Sequence, residues 1–148
     1  MGSHFSGSKE EVRALDTYIK LVRSADSINL VTNLYFSKVN LTESQFLILD
    51  ALLHLGDLTQ KDLAKKLLKS CGNITMVVDN LEVRDFVKRN RGKEDRRKFY
   101  VHLTTKGEKH IKDVLPGFVK LITNEMKKLN SSEQKELQKL CKKLGIRN

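Results

Sequence analysis

The densest charge in the chain lies at 88–98, where Lys88, Arg89, Arg91, Lys93, Arg96, Arg97 and Lys98 stand against Glu94 and Asp95. Seven bases and two acids leave +5 there, half of the formal +10 carried by all 148 residues. Cationic side chains at this density bind polyanions, and nucleic acid is the usual one. An arginine inserted into a narrow minor groove meets focused negative potential, and Arg96 is the residue expected to do so. Arg91, Lys93 and Arg97 are expected to bind phosphates, which fixes position without reading sequence. An anionic membrane surface is the competing polyanion. It would favour charge spread along one face of an amphipathic helix, and this segment reads as a hairpin instead.

A second set of polar groups stands just before that run. If 71–84 is a helix with Ile74, Val77, Val78 and Leu81 inside, then Gly72, Asn73, Thr75, Met76, Asp79 and Asn80 face out. In a major groove Asn73 can make paired hydrogen bonds to adenine, Thr75 can bond a base or phosphate, and Met76 can pack on a thymine methyl. The plainer reading of Asn73 is a local cap. Asp79 would repel phosphate, so it is expected to lie off the backbone or to pair with a base. Gln60, Lys61 and Ser70 are candidates for contact with the DNA backbone.

Other chemistry is sparse. Cys71 and Cys141 have no Cys-x-x-Cys or Cys/His spacing, so no zinc site is expected, and His54, His102 and His110 do not add one. Cys71 opens the presumed groove helix, where oxidation would add bulk and polarity; a redox switch and an incidental thiol both fit. No nucleophile motif, paired catalytic carboxylates or glycine-rich phosphate loop is present, so neither an enzyme nor a cofactor is expected. Two free thiols suit a reducing cytoplasm, and no apolar run approaches the roughly 20 residues of a membrane span.

The elements that must position these groups follow from caps and periodicity. Met1-Gly2-Ser3-His4 reads as a cloning remnant, and 1–8 is expected to be unstructured. A first helix runs from Lys9 to about Asn29 on Val12, Leu15, Ile19, Val22 and Ile28; the apolar stretch 28–39 offers no clear break point. Thr42 and Gln45 form a capping box for a helix burying Phe46, Leu49, Leu52 and Leu53, which Gly56 ends in a left-handed turn. Thr59 and Asp62 cap a short helix with Leu63, Ala64 and Leu67 inside, and Ser70 caps the next. Two short helices joined by a brief turn predict a helix-turn-helix.

Strands at 86–90 and 98–103 then predict a basic β-hairpin, a wing. Thr104 or Thr105 caps a long helix, with Glu108 available for a capping box. Pro116-Gly117 is expected to kink or break that helix. Ser131-Ser132-Glu133-Gln134 caps a last helix with Leu137, Leu140 and Leu144 inside. The hydrophobic share, 39%, is low for a self-contained globule, and the terminal helices have no cover in their own domain. A second copy is the natural cover.

These residues resemble the MarR-type regulators of bacteria and archaea. The likeness rests on Leu58-Thr59-Gln60 with Leu63-Ala64, Asn73-Ile74-Thr75, Asp79-Asn80-Leu81-Glu82, Glu94-Asp95-Arg96-Arg97, and Leu103-Thr104 with Gly107. Asp85 stands where members often carry glycine, and an Asp tolerates the left-handed turn. The resemblance implies a mainly α fold with a β-hairpin wing: a dimerising helical region at 9–40, a winged helix-turn-helix at 41–104 and dimerising helices at 105–148. It implies a homodimer on a pseudo-palindromic DNA operator, with repression relieved by a small molecule or an oxidant. It also implies that Asp95 braces the neighbouring arginines rather than touching DNA. The alternatives are a redox-responsive regulator acting through Cys71 and a winged-helix module for protein assembly. An effector cleft is expected between 28–36 and the start of the C-terminal helix.

Overall fold

The computed structural model describes residues 2, 4–92 and 97–145. Helix α1 (Lys9–Lys38) is one continuous element. Ser8 caps it, its hydroxyl accepting from the Glu11 N–H while the Glu11 carboxylate accepts from the Ser8 N–H at 2.8 Å. The helix therefore runs on through 28–38 instead of ending near Asn29. Thr32 and Phe36 are buried near its end, whereas Leu15, Leu21 and Val22 on the earlier turns stay exposed.

Helix α2 (Glu43–Leu55) starts at the expected Thr42–Gln45 box and buries Phe46, Ile48, Leu49 and Leu52. Gly56 follows at φ 76°, ψ −158°. This is not the left-handed helical region expected from sequence but a region essentially reserved for glycine. A two-residue strand, β1 (Leu58–Thr59), comes next and was not anticipated, because two residues carry no periodicity.

Helices α3 (Gln60–Leu67) and α4 (Cys71–Val83) form the helix-turn-helix. Thr59 caps α3 reciprocally with Asp62, whose carboxyl is held below the usual carboxylate range chiefly by the Thr59 hydroxyl. The turn between them places Leu68 at φ 52°, with 91% of its surface exposed. A leucine in this conformation is strained and here has no burial to compensate. Leu68→Asn is expected to raise stability by about 0.5–1 kcal/mol, since asparagine tolerates this conformation. Urea unfolding at fixed protein concentration checks it; a lower midpoint would show that Leu68 has a packing partner.

Ser70 caps α4 through the Asn73 N–H, and Asp85 turns the chain at φ 59°, the left-handed turn expected there. Strands β2 (Val87–Arg91) and β3 (Phe99–Leu103) pair antiparallel with Arg89 opposite Val101, and β1 adds to the other edge of β3 with Leu58 opposite Val101. The sheet order is β1-β3-β2. One core joins α2, α3, α4 and the sheet to the end of α1 and the first half of α5, with Leu63, Ile74, Leu81, Val87, Val101 and Ile111 fully buried.

Helix α5 (Thr105–Met126) runs unbroken through Pro116, contrary to a break at Pro116-Gly117. The lost N–H does not end the helix where tertiary contact supports it. The Tyr35 hydroxyl donates to the Val114 carbonyl at 2.6 Å, and Gly117 leaves the space its ring occupies. Thr104 is the cap, accepting from the Gly107 N–H, and Glu108 pairs with Lys112 instead of closing a capping box.

Helix α6 (Ser131–Gly145) is capped by Asn130 rather than Ser131. The Asn130 Oδ1 accepts from the Ser132 and Glu133 N–H groups, and Glu133 returns a bond to the Asn130 N–H. None of the α6 residues is buried, so Leu137, Leu140 and Leu144 are not inside anything the protomer supplies; they are 41%, 52% and 67% exposed.

Candidate nucleic-acid interface

Helix α4 turns its apolar side inward, with Ile74, Val78 and Leu81 fully buried and Val77 nearly so. Gly72, Thr75, Met76, Asp79 and Asn80 are exposed. Met76 is 58% exposed, and a side chain at Gly72 would meet nothing, so this face is open to a large partner. Asn73 is only half-buried: its N–H serves the Ser70 cap, and its Oδ1 is buried without a hydrogen-bond partner. The Ser70 hydroxyl oxygen accepts that N–H, which leaves its own proton to donate.

Two contacts hold α4 against its neighbours. Gln60, at the start of α3, donates through Nε2 to the Thr75 hydroxyl at 3.3 Å, and that hydroxyl donates to the Cys71 carbonyl at 3.0 Å. The second was not expected from sequence: Arg89 of β2 reaches across to Asp79 and Glu82, with both contacts at 2.5 Å. Asp79 thus pairs with an arginine of its own chain. The only hint in the sequence was an acid on the outward face of a helix followed by a strand rich in bases. Lys61 and Cys71 are exposed.

In the hairpin, Arg91 is exposed with its guanidinium 5.6 Å from the Phe99 ring, and Arg97 is exposed in the turn two residues before β3. Lys93, Asp95 and Arg96 lie outside the described residues. Behind the site, the His110 ring stacks on Phe86 at 4.7 Å. Burial first, and then the nearby Arg84, hold its pKa below that of a free imidazole. Among the described residues, no group of three or more His, Cys, Asp or Glu could hold a metal ion, and no helix is long and apolar enough to cross a membrane.

A helix-turn-helix whose second helix exposes a polar face and leads directly into an antiparallel hairpin is a winged helix-turn-helix. The MarR family model matches residues 41–99, from just before the cap of α2 to the start of β3. The HTH-type transcriptional regulator MhqR of Bacillus subtilis is 30% identical over 134 residues, covering 90% of this chain and 92% of that protein. Among solved structures, Bordetella bronchiseptica BpsR, whose DNA binding is regulated by 6-hydroxynicotinic acid, aligns at a TM-score of 0.81. It is 22% identical, with 100% of each chain covered. The S. aureus MepR–DNA complex aligns at 0.77 with 22% identity, covering 86% of this chain and 95% of that one. The chain belongs to the MarR family of DNA-binding transcriptional regulators.

Proposed function

We propose that the chain acts as a homodimeric repressor on a pseudo-palindromic operator, each protomer placing α4 in the major groove and its wing in the flanking minor groove. The observation that carries this reading is the exposed face of Gly72, Thr75, Met76 and Asn80 set beside a hairpin that holds half of the chain's net charge. In this reading Thr75, Met76 and Asn80 meet base edges, with Gly72 allowing close approach, and Asn73, whose Oδ1 is buried, joins them only through its Nδ2. Arg96 enters the minor groove braced by Asp95, and Arg91, Lys93, Arg97, Gln60, Lys61 and Ser70 meet phosphate. Leu137, Leu140 and Leu144 on α6, with the exposed apolar residues of early α1, are the surface a second copy would cover. Regions 9–40 and 105–148 are accordingly the dimerising parts, and 41–104 the DNA-binding part. The solved MepR–DNA complex and the ligand-regulated BpsR support DNA as the partner and a small molecule as the effector.

Binding of wild type and Arg96→Ala to genomic fragments across a salt series tests the proposal. Wild type is expected to select a pseudo-palindromic site with a steep salt dependence. Arg96→Ala is expected to lose about 1–3 kcal/mol of affinity. Weak, sequence-blind binding by wild type, unchanged in Arg96→Ala, would sink the DNA-binding assignment. Sedimentation equilibrium returning one chain mass at micromolar protein would sink the homodimer.

A further inference from the structure

We propose that Arg89 is a positioning residue for operator binding, which masks the Asp79 carboxylate on the exposed face of α4 and ties the wing to that helix. The inference rests on the proposed docking of α4 in the major groove. Asp79 lies one turn beyond Thr75 on the same face, and its side chain is 58% exposed. Duplex DNA carries a negative charge every ~1.7 Å along its axis, so a bare carboxylate there opposes binding.

Arg89 answers this charge from the neighbouring strand. Its Nη2 donates to Asp79 Oδ1 and its Nη1 to Glu82 Oε2, both at 2.5 Å, and its backbone N–H donates to Glu82 Oε1 at 3.0 Å. Nη2 also lies 3.5 Å from the Thr75 carbonyl. The side chain is only 21% exposed and its guanidinium is spent on α4, whereas Arg91 is exposed. Arg89 therefore stands apart from the phosphate ligands although it belongs to the same basic run.

The chemistry requires arginine. Two carboxylates nearly one helical turn apart are held at once by a planar fork, which a lysine ammonium cannot reproduce. Because Arg89 is paired in the sheet with the fully buried Val101, its backbone is fixed, and the fork sets the spacing between α4 and β2. That spacing must match two adjacent grooves at once.

The test is a double-mutant cycle on the operator recovered with wild type, with thermal midpoints recorded for every variant. Arg89→Ala is expected to bind about tenfold or more weakly, because it leaves Asp79 uncompensated at the interface. Asp79→Asn alone is expected to bind at least as tightly as wild type. The double variant Arg89→Ala/Asp79→Asn, which restores the net charge but not the tie to α4, is expected to bind more tightly than Arg89→Ala by the share of the loss that the bare carboxylate causes. If Arg89→Ala does not fold, Arg89→Gln with and without Asp79→Asn gives the same comparison, because glutamine removes the charge while keeping a long polar side chain. A double variant as weak as Arg89→Ala would overturn the inference, since Arg89 would then be a phosphate ligand or a purely structural residue. Unchanged affinity in Arg89→Ala would overturn it as well. Failure of wild type to select any site would instead remove the docking on which the inference rests, and the inference with it.

Discussion

Gly107→Ala is expected to lower the stability of the folded chain by about 3 kcal/mol or more, near the upper end for overpacked positions. Gly107 is the third residue of α5 and is buried. A Cβ built there overlaps the Phe86 carbonyl oxygen and lies 2.7 Å from its carbonyl carbon and 3.0 Å from its Cα. These are backbone atoms, which no rotamer change can move aside. They are also fixed from several directions: the Thr104 N–H donates to the Phe86 carbonyl at 3.0 Å, and the Thr104 hydroxyl donates to the Asp85 carbonyl at 2.6 Å. Asp85 holds its left-handed turn at this corner, and Val87, the next residue but one, is fully buried at the root of the wing. Relief of the clash must therefore move either α5 or the wing. Urea unfolding reads the loss directly, and operator affinity is expected to fall with it. A midpoint within error of wild type would mean that the start of α5 can shift freely.

That example marks the boundary of what the sequence discloses. Leu103-Thr104 with Gly107 could be matched to a family by its letters, but the reason for the glycine is a carbonyl 21 positions earlier. Features whose partners sit three residues apart were legible: the Thr42–Gln45 and Thr59–Asp62 boxes and the Ser70 cap all form as read. Even so, a local competition misled at α6, where Asn130, Ser131 and Ser132 can each cap and the more N-terminal Asn130 does. What depended on distant packing was hidden. Strand β1 exists only because Leu58 and Thr59 meet Val101 and Tyr100. Pro116 lies inside an unbroken α5, and the Tyr35 hydroxyl, 79 residues from Val114, holds that stretch of the helix through the Val114 carbonyl. In the candidate interface the outward face of α4 was legible from its period, whereas the Arg89 fork was not, since nothing in a basic strand says which arginine turns back onto the protein.

Phe46→Ala is expected to cost about 3–5 kcal/mol of unfolding free energy, the range for removing a fully enclosed aromatic ring. Phe46 is 2% exposed and is the aromatic residue that α2 supplies to a cluster shared by three helices. Its ring centroid lies 5.0 Å from that of Phe36 in α1 and 4.5 Å from that of Phe118 in α5. Phe36 and Phe118 stack on each other at 5.4 Å, and Tyr35 leans on Phe118 at 6.2 Å. The helices proposed to pair two copies therefore meet the DNA-binding part on one ring. Truncating it removes dispersion contacts on both sides at once, and the tilted packing leaves no neighbour free to fill the space. Phe46→Leu keeps much of the volume and is expected to lose less stability, yet to weaken operator binding. Two groove helices must stand about 34–36 Å apart, and a loosened joint lets that distance wander. Denaturation at several protein concentrations separates the two effects, because pairing of copies makes apparent stability depend on concentration. Phe46→Ala within about 1 kcal/mol of wild type would show that the cluster does not bear the joint. Phe46→Leu with full operator affinity would show that the spacing is set elsewhere.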